Sequence, residues 1–167
     1  MIENIIGDKK VFAIEYSISK PNPFPPYGDC QIWLGGNCLG GIEGEVYLTR
    51  VSQILQSVYL ILDKLVLPEL IFQLSCEEIF KIMKEEQIDE KGTYWFMDTE
   101  GFDLLNKYVY YQSEMLYFIW QLNPDLWSEF KVGDFPGQLF FAKVPISTYT
   151  EVTNQFRDAV AKIQSSN

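Results

Sequence analysis

Apolar and polar positions alternate along residues 11–19. Phe12, Ile14, Tyr16 and Ile18 fall on one side, and Ala13, Glu15 and Ser17 on the other. That two-residue period predicts a strand with one buried face. Pro21, Pro23, Pro25 and Pro26 remove backbone donors and predict a loop over residues 20–28. Its Phe24 and Tyr27 are open to two readings, packed lids or an exposed binding rim. Residues 29–34 and 37–41 then predict a hairpin, because glycine and asparagine at 35–37 supply the positive φ of a tight turn.

The period changes downstream. Val51, Ile54, Leu55, Val58 and Leu62 form one helical stripe, with Thr49 as its candidate cap. The stretch Leu65-Val66-Leu67-Pro68 ends this helix or begins a short strand. Ser75 with Glu78 three residues on is a capping box, predicting a helix from about 76 to 86 with Ile79, Phe80, Ile82 and Met83 inward. Residues 87–92 read as a polar turn and the aromatic run 93–98 as a strand. Residues 102–122 fit either period. Their tyrosines, valine and isoleucine favour a hairpin turning at Gln112-Ser113-Glu114 over one long helix. Asn123-Pro124-Asp125 breaks the chain, and residues 138–144 read as a last strand. Ser147 or Thr148 then caps a C-terminal helix striped by Val152, Phe156, Val160 and Ile163, with Thr148 and Glu151 as a further capping box. Strands dominate without a βαβ rhythm. The expected class is α+β, a mainly antiparallel sheet with about three helices, and residues 1–167 as a single domain.

Composition narrows the chemistry. There is no histidine among 167 residues, which removes the commonest general acid–base, the Ser-His and Cys-His pairs and the most frequent zinc ligand. Cys30, Cys38 and Cys76 lack CxxC spacing, and neither a Gly35-Gly36 nor a Gly36-Asn37 turn aligns the first two, so free thiols in a reducing, cytoplasmic setting are expected. The N-terminal residues do not read as a signal peptide, and no apolar run is long enough for a membrane span. No phosphate loop or calcium loop is present, so no cofactor or metal is expected.

Net charge is −10, from 23 acids against 13 bases, only two of them arginine. Direct nucleic-acid binding needs clustered cations, and Lys9-Lys10 is the densest pair. An acidic chain suits a basic protein partner instead. Seven acids fall within residues 85–103: Glu85, Glu86, Asp89, Glu90, Asp98, Glu100 and Asp103. They are a solvated turn or a negative patch. Paired carboxylates near Trp95, Trp120 and Trp127 also admit a small cytosolic carbohydrate- or ligand-binding module, with carboxylate-dependent hydrolysis as its chemistry.

One pattern decides between these readings. Ile6-Gly7-Asp8, Phe12-Ala13-Ile14-Glu15-Tyr16, Tyr27-Gly28 and Trp33-x-x-Gly36-x-x-Leu39-Gly40 together resemble the opening of a family of bacterial immunity proteins. These are made beside polymorphic or contact-dependent growth inhibition toxins and neutralise them by binding. The resemblance is strongest over residues 5–41 and contains no catalytic group. It implies a non-enzymatic, stoichiometric inhibitor, favoured as a monomer, whose partner is a cognate toxin domain. The seven acids between Glu85 and Asp103 are then candidate contacts to a basic groove such as that of a nuclease-type toxin.

Overall fold

Gly35 and Gly36 take φ of 58° and 86°, the pair of positive values that a two-residue hairpin turn with the twist of its strands requires. The computed structural model describes residues 4–19, 25–39, 44–85, 92–99, 102, 105–122 and 138–165. The glycine turn joins β4 (Cys30–Leu34) to β5 (Asn37–Leu39) with Trp33 opposite Cys38. β4 pairs in turn with β2 (Phe12–Tyr16), and β2 with β1 (Asn4–Asp8), giving an antiparallel sheet in the order β1-β2-β4-β5. β1 was not anticipated: its apolar residues are the pair Ile5-Ile6, followed at once by Gly7. The face expected to be polar is also partly covered. Ala13 is fully buried, set between Gly7 on β1 and Trp33 on β4.

The expected hairpin over residues 102–122 is present. β7 (Leu105–Gln112) and β8 (Met115–Leu122) pair antiparallel along their whole length, and β9 (Leu139–Pro145) adds a third strand. Two-residue strands β3 (Tyr27–Gly28) and β6 (Val46–Tyr47) make a small separate pairing. The strand expected at 93–98 is reduced to one bridge, Trp95 to Tyr108. Its aromatics favour extended backbone, but Met97 turns to φ 55° and ends the pairing.

Helix α1 (Leu48–Leu60) buries Val51, Leu55 and Val58 as the stripe predicts, with Ile54 half-buried and Leu48 buried besides, while Leu62 falls in a following 3-10 turn (Leu62–Lys64). Leu65–Pro68 ends this helical region and also touches the second sheet, through a parallel bridge from Val66 to Tyr111. A short helix α2 (Glu69–Phe72) precedes α3 (Cys76–Lys84), where the capping box of Ser75 and Glu78 is formed. The inward residues of α3 are Ile79, Phe80 and Met83, with Ile82 half-buried. The last helix, α4 (Ile146–Ser165), buries Val152, Phe156 and Val160 as expected, and Tyr149 besides. The expected caps are both corrected. Thr49 lies inside α1, and its hydroxyl accepts from Gln164 of α4 at 3.0 Å. Ser147 and Thr148 lie inside α4. Residues 87–91 of the turn expected at 87–92, and the break at 123–125, lie outside the described residues.

The architecture is therefore α+β with antiparallel sheets, and a continuous buried cluster runs through both larger sheets and the helices. Tyr149 stands where they meet. Its ring stacks 4.9 Å from Phe12 of the first sheet and 6.0 Å from Phe118 of the other. Its hydroxyl donates to the Leu55 carbonyl of α1 at 2.9 Å. The opposite face of β7-β8-β9 is covered by the edge of Phe80 on Tyr108 and of Phe72 on Tyr110 and Tyr117.

Candidate functional site

The residues of the N-terminal pattern are packed into the first sheet, and several have a physical reason to be what they are. Gly7 takes φ 95°, and a side chain there would press on the Phe12 carbonyl at 2.3 Å. A Cβ on Gly28 would lie 1.7 Å from the Ser17 carbonyl oxygen. Glu15 and Trp33 stand on one face of β2 and β4. The Glu15 carboxylate accepts from the Trp33 indole N–H at 2.8 Å and from Lys9 Nζ at 2.7 Å. The same ammonium lies 4.2 Å over the indole ring. These contacts account for Gly7, Glu15, Gly28 and Trp33 as fold residues.

The Lys9 hydrogen bond, then that of Trp33, holds the Glu15 carboxyl below its ordinary value of 4.5, against the opposing effect of burial. A carboxyl depressed in the folded state contributes stability that is complete above the unfolded value and lost as pH falls through the folded one. Denaturant midpoints measured from about pH 5 down to about pH 3 should therefore fall less steeply for Glu15→Gln than for the unaltered protein. Equal slopes would show that Glu15 carries no such linkage.

Of the seven acids put forward, Glu85 and Asp98 are described, and both are exposed. The structure does not bring these two to one place. Glu85 ends α3, 4.0 Å from Lys81, and helps line a groove with Glu77, Lys84, Gln121 and Leu139. Asp98 lines a different groove of about 290 Å³ with Trp95, Asn106 and Lys107. Glu86, Asp89, Glu90, Glu100 and Asp103 lie outside the described residues. Asp98 is the one carboxylate among that groove's described lining residues, whereas glycoside hydrolysis uses two. Of the proline-rich loop, Phe24 lies outside the described residues, and Tyr27 packs 3.9 Å from Tyr47.

The thiols are poorly suited to nucleophilic work. Burial pushes Cys30 well up, and burial, then the Glu77 charge, takes Cys76 to about 11. Among the described residues, no group of three or more acids and cysteines could hold a metal ion. No helix among them is long and apolar enough to cross a membrane.

A third groove, of about 540 Å³, was not visible in the sequence. It lies between the end of α1, the β7–β8 turn and the start of α4, and includes Tyr59, Tyr111, Glu114 and Glu151. Its residues come from three distant stretches of chain, so no local spacing signals it.

No curated protein matches this sequence. A solved structure that resembles it is that of CdiI from Burkholderia dolosa AUO158, with a TM-score of 0.63 at 13% identity, covering 95% of this chain and 99% of the other. At that identity the likeness speaks for the fold. The model of the family described as Immunity protein 42 matches residues 1–159, far beyond the opening forty residues that first carried the resemblance. The chain belongs to the Immunity protein 42 family.

Proposed function

We propose that this protein neutralises a toxin domain by binding it one to one, without catalysis, in the cytoplasm of the cell that makes both. The observation that carries this reading is the family match over residues 1–159. The finer part concerns chemistry. The toxin is a basic protein, of the nuclease type, and the immunity protein occludes its nucleic-acid groove. Net charge of −10 supports that complementarity, as does the run of seven acids from Glu85 to Asp103. Glu85 and Asp98 are exposed.

Charges at the rim of an interface act mainly on the rate of encounter. Reversing Glu85 and Asp98 to lysine should slow association with the toxin domain of the neighbouring reading frame by about tenfold at low salt. The difference should shrink as salt is raised. The melting temperature should stay near that of the unaltered protein, because exposed charges contribute little to folding. An association rate indifferent to both salt and these substitutions would leave the acids as solubility groups and remove the electrostatic part of the proposal. A complex of a stoichiometry other than one to one would overturn the binding mode.

A further inference from the structure

We infer that the groove between the end of α1, the β7–β8 turn and the start of α4 seats an arginine side chain of the toxin, an inference that rests on the immunity reading. The groove of about 540 Å³ presents two tyrosine rings, Tyr59 and Tyr111, and two carboxylates, Glu114 and Glu151. Its described lining residues include no lysine or arginine. The other two grooves differ in this respect. Asp98 shares its groove with Lys107, and Glu77 and Glu85 share theirs with Lys81 and Lys84. Among the described lining residues of these three grooves, unbalanced charge beside open aromatic surface occurs in this one. A partner's cation would complete it.

The rings select the kind of cation. Tyr59 is 52% exposed, at the end of α1, next to Leu60 at 76%. A guanidinium is planar and weakly hydrated; it stacks on an aromatic face while its fork of N–H groups meets a carboxylate. An ammonium is a compact, strongly hydrated charge that matches such a surface less well. Leu62 and Ile146 add apolar surface to the same groove.

The turn carrying Glu114 is shaped at a cost. Ser113 and Glu114 take φ of 49° and 63°, values that glycine or asparagine would adopt more easily. The Tyr111 hydroxyl donates to the Glu114 carboxylate at 2.8 Å, and the Ile146 N–H donates to the Glu114 carbonyl at 3.0 Å. One residue is thereby held at both its backbone and its side chain. A carboxylate fixed in this way loses little freedom when a ligand arrives.

The test uses the intact protein and the toxin domain encoded beside it, with association and dissociation measured separately. Glu114→Gln with Glu151→Gln should speed dissociation by at least about tenfold, since a seated charge pair acts on residence time. Tyr59→Ala should act in the same direction. A second variant separates binding from folding. Ser113→Asn with Glu114→Gly should raise the melting temperature by relieving the turn, and still speed dissociation. Replacing the toxin's surface arginines by alanine one at a time should identify one whose effect disappears in the Glu114→Gln, Glu151→Gln background. If the unaltered protein binds and all these variants dissociate as it does, the groove has no such role and the immunity reading stands. If a lysine and no arginine shows the coupling, the occupant is wrongly assigned. If the unaltered protein does not bind the toxin domain, both this inference and the reading beneath it fall.

Discussion

Replacing Tyr149 by alanine is expected to destabilise the fold by about 4 kcal/mol, the upper part of the range for removing a buried aromatic side chain. The ring is fully buried and touches elements that are distant in sequence. Phe12 belongs to the first sheet, Phe118 to the second, and Leu55 to α1. Each would face the same cavity, and none can close it without leaving another partner. The loss is a large fraction of the stability of a domain of ordinary size. Tyr149→Phe keeps the ring and removes only the hydrogen bond to the Leu55 carbonyl, at a cost of about 1 kcal/mol. The two variants compared by urea denaturation separate packing from hydrogen bonding. Equal losses would mean that the sheets do not depend on the ring.

The second large effect concerns a backbone rather than a side chain. Gly28→Ala should cost about 3 kcal/mol, the upper part of the range for overpacking. The added carbon would lie 1.7 Å from the Ser17 carbonyl oxygen, closer than any non-bonded contact, and the obstacle is main chain. Around it the chain is tied on both sides. Ser17 N–H donates to the Asp29 carbonyl at 3.0 Å, and Ser19 N–H to that of Tyr27 at 3.2 Å. The Ser17 hydroxyl also reaches the Asp29 carboxylate at 3.0 Å. Relief requires giving up this pairing. Gly36→Ala is the control: nothing lies within 4 Å, so only its φ of 86° opposes a side chain, at about 1 kcal/mol. If both glycines tolerate alanine equally in thermal melts, close approach is not why Gly28 is glycine.

These two positions show what could be read from the chain and what could not. The hairpins and the capping box of α3 are local, and each was legible because a few neighbouring residues determine it. The caps of α1 and α4 were misplaced because their first N–H groups find partners far away. Leu48 N–H donates to the Pro26 carbonyl at 3.0 Å, and Ile146 N–H to that of Glu114. Each helix therefore begins where its first N–H meets a distant carbonyl, ahead of the polar residue that local spacing marks as a cap. Strand propensity misled at 93–98 because tertiary geometry, with Met97 at φ 55°, outweighed it. Tyr149 stands one turn before Val152 on α4, and its hydroxyl gives it the look of a surface residue although the ring is fully buried. The N-terminal pattern identified the family correctly, and the packing explains how. Gly7 and Gly28 are where backbones approach, and Glu15 and Trp33 close a contact with Lys9. A pattern built from such residues marks a fold and leaves the partner unspecified. The groove of Tyr59, Glu114 and Glu151 is assembled from α1, a turn and α4, so only the folded chain displays it.

Protection of living cells tests the central claim most directly. The toxin domain of the neighbouring reading frame is induced in cells with and without this protein, and survival is counted. The account predicts that the toxin alone arrests growth and that co-expression restores it, with both proteins recovered as one complex. It also predicts that Glu114→Gln with Glu151→Gln weakens that rescue while the variant accumulates to the same level. Arrest that proceeds unchanged in cells holding an excess of the folded, unaltered protein would contradict the immunity function itself.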